Sequence, residues 1–283
     1  MKVLNSRTNG DWVTRLPPAP PLAVPADGPV AEDFALTEAT RALSDVLLCR
    51  NLVILSGLGT SLCVQPAAAG GAKAPTMADL WVKVGQRQDT AAAAINPPGP
   101  NFSQILDLVG HLREKRDIEA LLSRCRLAES FLLGLDKAHV AGFIERAEAE
   151  IITATNFVVV NHPLPVHAEF LRRVARRSQR KSRVKIFTTN YDRCFEEAGR
   201  QGRYVVVDGF SHSVPPTFDA IHFTYEIVRR VPDTDALDPI PNMFHLYKLH
   251  GSVDWQRQEP FGEITKWTAG GKPVLIYPRN SKY

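Results

Sequence analysis

Three short clusters of polar residues each follow an apolar run of the kind that forms a buried β-strand. The first is SGLGTS (Ser56–Ser61) after NLVIL, the second is FTTNYD (Phe187–Asp192), and the third is HGS (His250–Ser252) after HLYKL. Glycines at such a turn let backbone amides approach a phosphate closely, and a histidine can exchange protons near neutral pH. These residue types could bind a phosphorylated ligand and carry out acid–base chemistry on it.

Each cluster also has an ordinary structural explanation when it is considered alone. Glycine-bearing turns after strands are common in α/β proteins, and Asp192 could cap the helix that follows it. A single histidine such as His250 is more often a hydrogen-bonded polar residue than a base. His245 would face the opposite side of the same strand, because side chains alternate along a strand, so a metal site shared by the two histidines is not predicted.

Strands and helices alternate around these clusters. NLVILSG, VKIFTTN and RYVVVDG have the pattern of strands, and YDRCFEEAGRQG has that of a helix. Such alternation indicates a parallel sheet, and ligands bind outside the carboxyl ends of parallel strands. We therefore predict an α/β protein with a Rossmann-like parallel sheet flanked by helices. Residues 1–34 are predicted to form an extended proline-rich arm, and residues 35–283 the folded domain, with a mainly helical insertion at about 64–182.

Composition excludes several other classes of protein. The 283 residues are 44% hydrophobic, and 34 basic residues against 30 acidic ones give a mild excess of positive charge. The four cysteines form no CxxC pair, which predicts neither a zinc site nor a disulfide framework. No secretory signal and no long apolar stretch is present, so we expect a cytoplasmic protein without a membrane segment. The segment Arg172–Arg183 carries seven basic residues and could contact nucleic acid, although a solvated helix face is the simpler interpretation.

Taken in order, SGLGTS, FTTNYD and KLHGS resemble the motifs of the SIR2 (sirtuin-like) family, and in particular its prokaryotic branch found in antiviral defence proteins. Those motifs are a GAGxS-type loop, a T-x-N-x-D segment and an HG pair, and the resemblance covers about Leu36 to Tyr283. It implies that NAD⁺ is the substrate. It further implies two catalytic residues, Asn190 and His250, and seven binding residues: Gly57, Gly59, Ser61, Thr189, Asp192, Gly251 and Ser252.

The resemblance implies a role for most of these residues. The SGLGTS loop would lie against the pyrophosphate and the adjoining ribose. Asn190 would orient the attacking water beside the nicotinamide ribose, Asp192 would contact the nicotinamide carboxamide, and His250 would engage the ribose hydroxyls as a base. The four-cysteine zinc module of the deacylating sirtuins is missing from the sequence. This departure favours NAD⁺ hydrolysis without zinc over protein deacylation.

The resemblance also carries expectations about biology and partners. The protein would deplete NAD⁺ during phage infection, regulated by homo-oligomerisation or by a defence partner protein, and nucleic acid would be contacted only through such a partner or through Arg172–Arg183. The family usually continues past a strand like VLIYP, so a further domain beyond residue 283 is expected. Two alternatives stay open: a protein deacylase or ADP-ribosyltransferase, and a non-catalytic nucleotide-binding or assembly subunit.

Overall fold

The computed structural model of the chain describes residues 2–3, 13–14, 34–175, 181–232, 234–266 and 271–276. It divides into two compact units, Met1–Leu52 and Val53–Tyr283. In the first unit, strands β1 (Lys2–Val3) and β2 (Val13–Thr14) pair in antiparallel fashion, and helix α1 spans Phe34–Leu48. The remainder of the predicted proline-rich arm lies outside the described residues.

The second unit carries the three polar clusters. Its elements, in chain order, are β3 (Val53–Ser56), a 3₁₀ helix (Leu58–Thr60), α2 (Met77–Ala93), α3 (Phe102–Leu108), α4 (Ile118–Ala128), α5 (Gly134–Thr155), α6 (Pro165–Val174), β4 (Val184–Thr188), α7 (Cys194–Gln201), β5 (Val205–Val207), a second 3₁₀ helix (Ala220–Thr224), β6 (Val228–Arg230), β7 (Leu237–Pro239), β8 (Met243–Lys248), β9 (Gly251–Gln258), β10 (Glu263–Lys266) and β11 (Lys272–Leu275).

A four-stranded parallel sheet forms the centre of this unit, with the strand order β3-β4-β8-β5. Its strands are rich in β-branched and aromatic residues, which fit a pleated, buried surface. Ile54, Ile186 and Leu246 lie in register across the three strands that end in the polar clusters, and the latter two are fully buried. The predicted α/β fold with a parallel sheet is confirmed.

Helices α2 to α6 lie between β3 and β4 along the chain, and α2 to α5 share a hydrophobic core. Side chains of α4 and α5 such as Leu121, Phe143 and Ile151 are fully buried in it. Thr76 begins α2 with a capping box, in which its hydroxyl accepts from the amide of Asp79, while the Asp79 carboxylate accepts from the Thr76 amide. The same core reaches Tyr191 in the FTTNYD segment, so the helices pack directly on one of the three clusters.

A second, antiparallel sheet with the order β10-β9-β11 follows the parallel sheet. Its first residue, Gly251, has φ +80°, and a Cβ there would lie 1.9 Å from the carbonyl oxygen of Val274. Only glycine fits this close approach at a positive φ. The turn at His250 and Gly251 therefore takes the chain from the end of β8 straight into the second sheet.

Over the described ranges, no helix is long and apolar enough to cross a membrane. The four cysteines are free. In the part of the chain that the structure describes, no group of three or more histidine, cysteine, aspartate or glutamate side chains could hold a metal ion.

Candidate active site

The three polar clusters lie side by side because the strands that precede them are adjacent and end in register. Ser56, Thr188 and Lys248 are aligned across β3, β4 and β8. Beyond this row, the amide of Thr189 donates to the carbonyl oxygen of Ser56 at 3.1 Å, and the amide of Leu249 donates to that of Thr188 at 2.9 Å. The sheet hydrogen bonding thus continues into the loops and brings the clusters together at the carboxyl edge.

Asn190 joins the end of β4 to the SGLGTS loop. Its amide Nδ2 donates to the carbonyl oxygen of Gly57 at 2.9 Å and to the hydroxyl of Ser61 at 2.7 Å, and lies 3.3 Å from the Thr60 hydroxyl. A donor facing a backbone carbonyl must be the NH₂ group, which fixes the orientation of the amide. No protein partner for Asn190 Oδ1 is present in the described ranges, which leaves this oxygen to accept from a water or a ligand.

Asp192 is buried and lies at the start of helix α7. Its Oδ2 accepts from the Ser61 hydroxyl at 2.6 Å, and its Oδ1 accepts from the amide of Cys194, the first residue of the helix, at 3.0 Å. Hydrogen bonds to a carboxylate are among the strong ones. Asp192 therefore bonds to the first residue of the helix, although the N-cap position is Arg193 and not Asp192, and at the same time it is bonded through Ser61 to Asn190.

A cavity of about 520 Å³ opens beside these residues. This volume lies within the roughly 300–1,000 Å³ typical of small-molecule sites. His250 lines the cavity, and the centroid of its ring lies 6.4 Å from that of Tyr191. The other residues of the wall are Leu58, Ser61, Ala74, Pro75, Met77, Leu80, Arg116, Asp117, Glu119, Thr155, Phe157, Thr189, Asn190 and Asp192.

Five of the predicted site residues line the cavity: Ser61, Thr189, Asn190, Asp192 and His250. The other four, Gly57, Gly59, Gly251 and Ser252, are not among the residues that line it. A Cβ on Gly57 would lie 3.6 Å from the Thr189 hydroxyl, whereas Gly59 has open space around it. Ser252 is fully buried and donates to the carbonyl oxygen of Tyr191 at 3.2 Å, and Gly251 lines a separate cavity of about 470 Å³ together with His250.

The stretch of chain between β3 and β4, which contains helices α2 to α6, contributes residues to the cavity wall that the sequence did not predict. Arg116 is an exposed cation on the wall, and Phe157 supplies a buried aromatic surface. The Asp117 carboxylate accepts from two amides at the start of α4, so its position follows from helix capping. No local pattern marks these positions as functional, because only the packing of the helices onto the sheet edge places them there.

Among the described residues, four buried histidines lie outside the wall of this cavity: His111, His162, His167 and His245. His167 of α6 packs edge-on against Phe195 at 5.2 Å, and neither ring nitrogen has a protein partner among the residues described. Burial lowers the pKa of His167, and the negative charge of Asp192 partly opposes the shift. Burial, and then the positive charge of Lys185, lowers the pKa of His245 in β8.

Comparison with known proteins adds one finding. Residues 184–266 match the family model of the SIR2-like domain. This range runs from β4 to β10 and includes the FTTNYD and HGS clusters, while SGLGTS precedes it. No curated protein matches the chain. Over these residues the chain is similar to a SIR2-like domain, and such a domain indicates an NAD-related activity in general.

Proposed function

We propose that the protein is an NAD⁺ glycohydrolase, which cleaves NAD⁺ with water to nicotinamide, ADP-ribose and a proton. One observation carries the proposal: Asn190, Asp192 and His250, from two strand ends, line a single cavity at the carboxyl edge of the parallel sheet. Ligands of open α/β sheets bind at this edge.

The wall of the cavity fits the chemical groups of NAD⁺. Its apolar side chains, among them Met77 and Phe157, suit the flat nicotinamide ring. Arg116 offers a guanidinium to the diphosphate, for which its planar fork of donors is well shaped. The carboxylate of Asp192 can accept from the carboxamide NH₂.

Cleavage of the bond between C1′ and the nicotinamide nitrogen leaves its electron pair on nicotinamide, so positive charge develops on the ribose. Asn190 Oδ1 would hold the attacking water, whose oxygen bonds to C1′. His250 would take the proton that this water loses, acting as a base. Asp192 places negative charge near the developing cation, and the helical wall shields that charge from bulk water.

The proposal is tested by incubating the purified protein with NAD⁺ and separating the products by chromatography. We expect nicotinamide and ADP-ribose in equal amounts. Asn190→Ala and His250→Ala should each lower the rate at least about 100-fold, the usual contribution of a positioned acid–base group. His212→Ala, which removes an exposed histidine outside the cavity wall, is the matched control. Cleavage by His250→Ala at the wild-type rate would remove that residue from the mechanism.

We further propose, from the resemblance of the motifs, that NAD⁺ depletion acts in cytoplasmic defence against phage and is regulated by self-association or by a partner protein. Direct nucleic-acid binding through Arg172–Arg183 has less support. Arg172 and Arg173 both pair with Glu169 at 2.6 Å, which offsets part of their charge, and residues 176–180 lie outside the described ranges. NAD⁺ levels in cells that carry the gene, with and without phage, test this role.

A second candidate function is transfer of ADP-ribose to an acceptor other than water, including the deacylase reaction. One observation favours it, since His250 also lines the separate cavity of about 470 Å³ and therefore lies between two openings. An acceptor in that cavity could approach the same histidine. Product analysis that separates ADP-ribose from O-acetyl-ADP-ribose and from ADP-ribosylated protein distinguishes these reactions. NAD⁺ binding without any product would instead indicate a non-catalytic subunit.

A further inference from the structure

Lys248, the last residue of β8, extends a buried ammonium group toward the FTTNYD segment. Its side chain is only 2% exposed. The Nζ atom donates to the backbone carbonyl oxygen of Asp192 and lies 3.5 Å from Oε1 of Glu196 in helix α7. A buried ammonium is costly unless it is paired and hydrogen-bonded, so these two contacts fix where the lysine head group can lie.

The carbonyl group of Tyr191, which precedes Asp192, also accepts hydrogen bonds from the segment that follows Lys248. The Tyr191 carbonyl oxygen accepts from the hydroxyl of Ser252 at 3.2 Å and from the amide of Val253 at 3.1 Å. Two consecutive carbonyls of FTTNYD are thus bonded by three residues of KLHGSV, which flank His250 on both sides. These contacts couple the position of the Asp192 carboxylate to that of the His250 turn.

Glu196 offers an alternative explanation for the buried position of the Lys248 ammonium group. Burial raises the pKa of Glu196, the charge of Lys248 lowers it, and the charge of Asp254 raises it again. Its second oxygen, Oε2, is buried without a partner in the described part of the chain. Lys248 could therefore serve only to neutralise Glu196. The two explanations differ in which contact matters, and they can be separated by removing both charges together.

We propose that Lys248 is a positioning residue, which acts through its hydrogen bond to the Asp192 carbonyl to hold Asp192 and Asn190 against the cavity. Only the expected effect of Lys248 on the reaction rate rests on the proposed NAD⁺ hydrolysis. The contact between Lys248 and the Asp192 carbonyl is present in the folded protein without substrate, so it can be tested without NAD⁺. Lys248→Met removes the donor while keeping an unbranched side chain of similar length.

The kinetic test compares Lys248→Met, Glu196→Gln and the double variant, with Lys185→Met, an exposed lysine of β4, as the matched control. Lys248→Met should lower kcat about 10- to 100-fold, as expected for losing a hydrogen bond from a charged donor, with little change in KM. Glu196→Gln alone should keep most of the activity. The double variant should stay as slow as Lys248→Met, and its return to the wild-type rate would overturn the inference.

Hydrogen exchange without NAD⁺ provides the independent measurement. The amides of Cys194 and Val253 are bonded to the Asp192 side chain and the Tyr191 carbonyl, so their exchange reports whether the segment that Lys248 contacts stays in place. Lys248→Met should speed their exchange at least tenfold relative to Lys185→Met, while the core amides of α5 stay protected. Unchanged exchange at these two amides would overturn the inference. A wild-type protein that leaves NAD⁺ intact would overturn the proposed function alone.

Discussion

Ser61→Ala tests the hydrogen bonding that connects the SGLGTS loop to the end of β4. The Ser61 hydroxyl accepts from Asn190 at 2.7 Å and donates to Asp192 Oδ2 at 2.6 Å, and the residue is 1% exposed. Alanine leaves one buried carboxylate oxygen without its serine donor and one amide hydrogen without its serine acceptor. Removing a hydrogen bond to a charged group costs about 1.5–3 kcal/mol, which corresponds to roughly a 10- to 100-fold change in rate.

Steady-state NAD⁺ cleavage gives kcat and KM for this variant, and chemical denaturation gives its free energy of unfolding. We expect kcat to fall by the factor above and the free energy of unfolding to fall by no more than about 3 kcal/mol, so that the protein stays folded. Ser130→Ala, which removes an exposed serine hydroxyl bonded to a backbone carbonyl at 2.6 Å, controls for the loss of a hydroxyl as such. A Ser61→Ala protein with wild-type kcat/KM would show that this network does not position the reacting groups.

Two further predictions concern substrate binding and pH. Arg116→Ala should raise KM for NAD⁺ about tenfold with little effect on kcat, because Arg116 would bind the diphosphate equally well in the ground state and in the transition state. A lower kcat at unchanged KM would contradict this role. Burial lowers the pKa of His167 below its ordinary 6.5, so the unfolded chain takes up a proton at higher pH than the folded one. The stability that His167 contributes is therefore complete above pH 6.5 and is lost as the pH falls. Chemical denaturation at about pH 7.5 and about pH 5.5 gives the free energy of unfolding on either side of that value. Between the two, this free energy should fall less for His167→Gln than for the wild type. Equal falls would show that His167 does not contribute to the pH dependence of stability.

Much of the sheet edge follows from local sequence patterns. Short apolar runs that end in glycine or in polar residues predict buried strands, and alternation with helices predicts their parallel arrangement. Because the carboxyl ends of parallel strands share one edge, the sequence predicts that Asn190 and His250 lie at the same edge of the sheet, and both line the same cavity. The family model then matches the two clusters that contain them.

The remainder of the site depends on contacts between distant parts of the chain. Arg116 and Phe157 reach the cavity only because a helical core packs on Tyr191, and no periodicity encodes that packing. Lys248 lies two residues before His250 in the sequence, yet its contact with Asp192 can be predicted only when the register of β4 against β8 is known. Strand β9 had a usable signal, since apolar Val253 and Trp255 alternate with polar neighbours in the way typical of a half-buried strand.

The proposed reaction requires that this cavity hold the nicotinamide ribose of NAD⁺ between Asn190 and His250. A crystal structure of the His250→Ala protein soaked with NAD⁺ would show where the substrate binds, because slow cleavage should leave it intact. We predict nicotinamide within the cavity of about 520 Å³, C1′ of its ribose facing Asn190, and the carboxamide in contact with Asp192. NAD⁺ bound at another surface, with this cavity filled only by water, would contradict the claim.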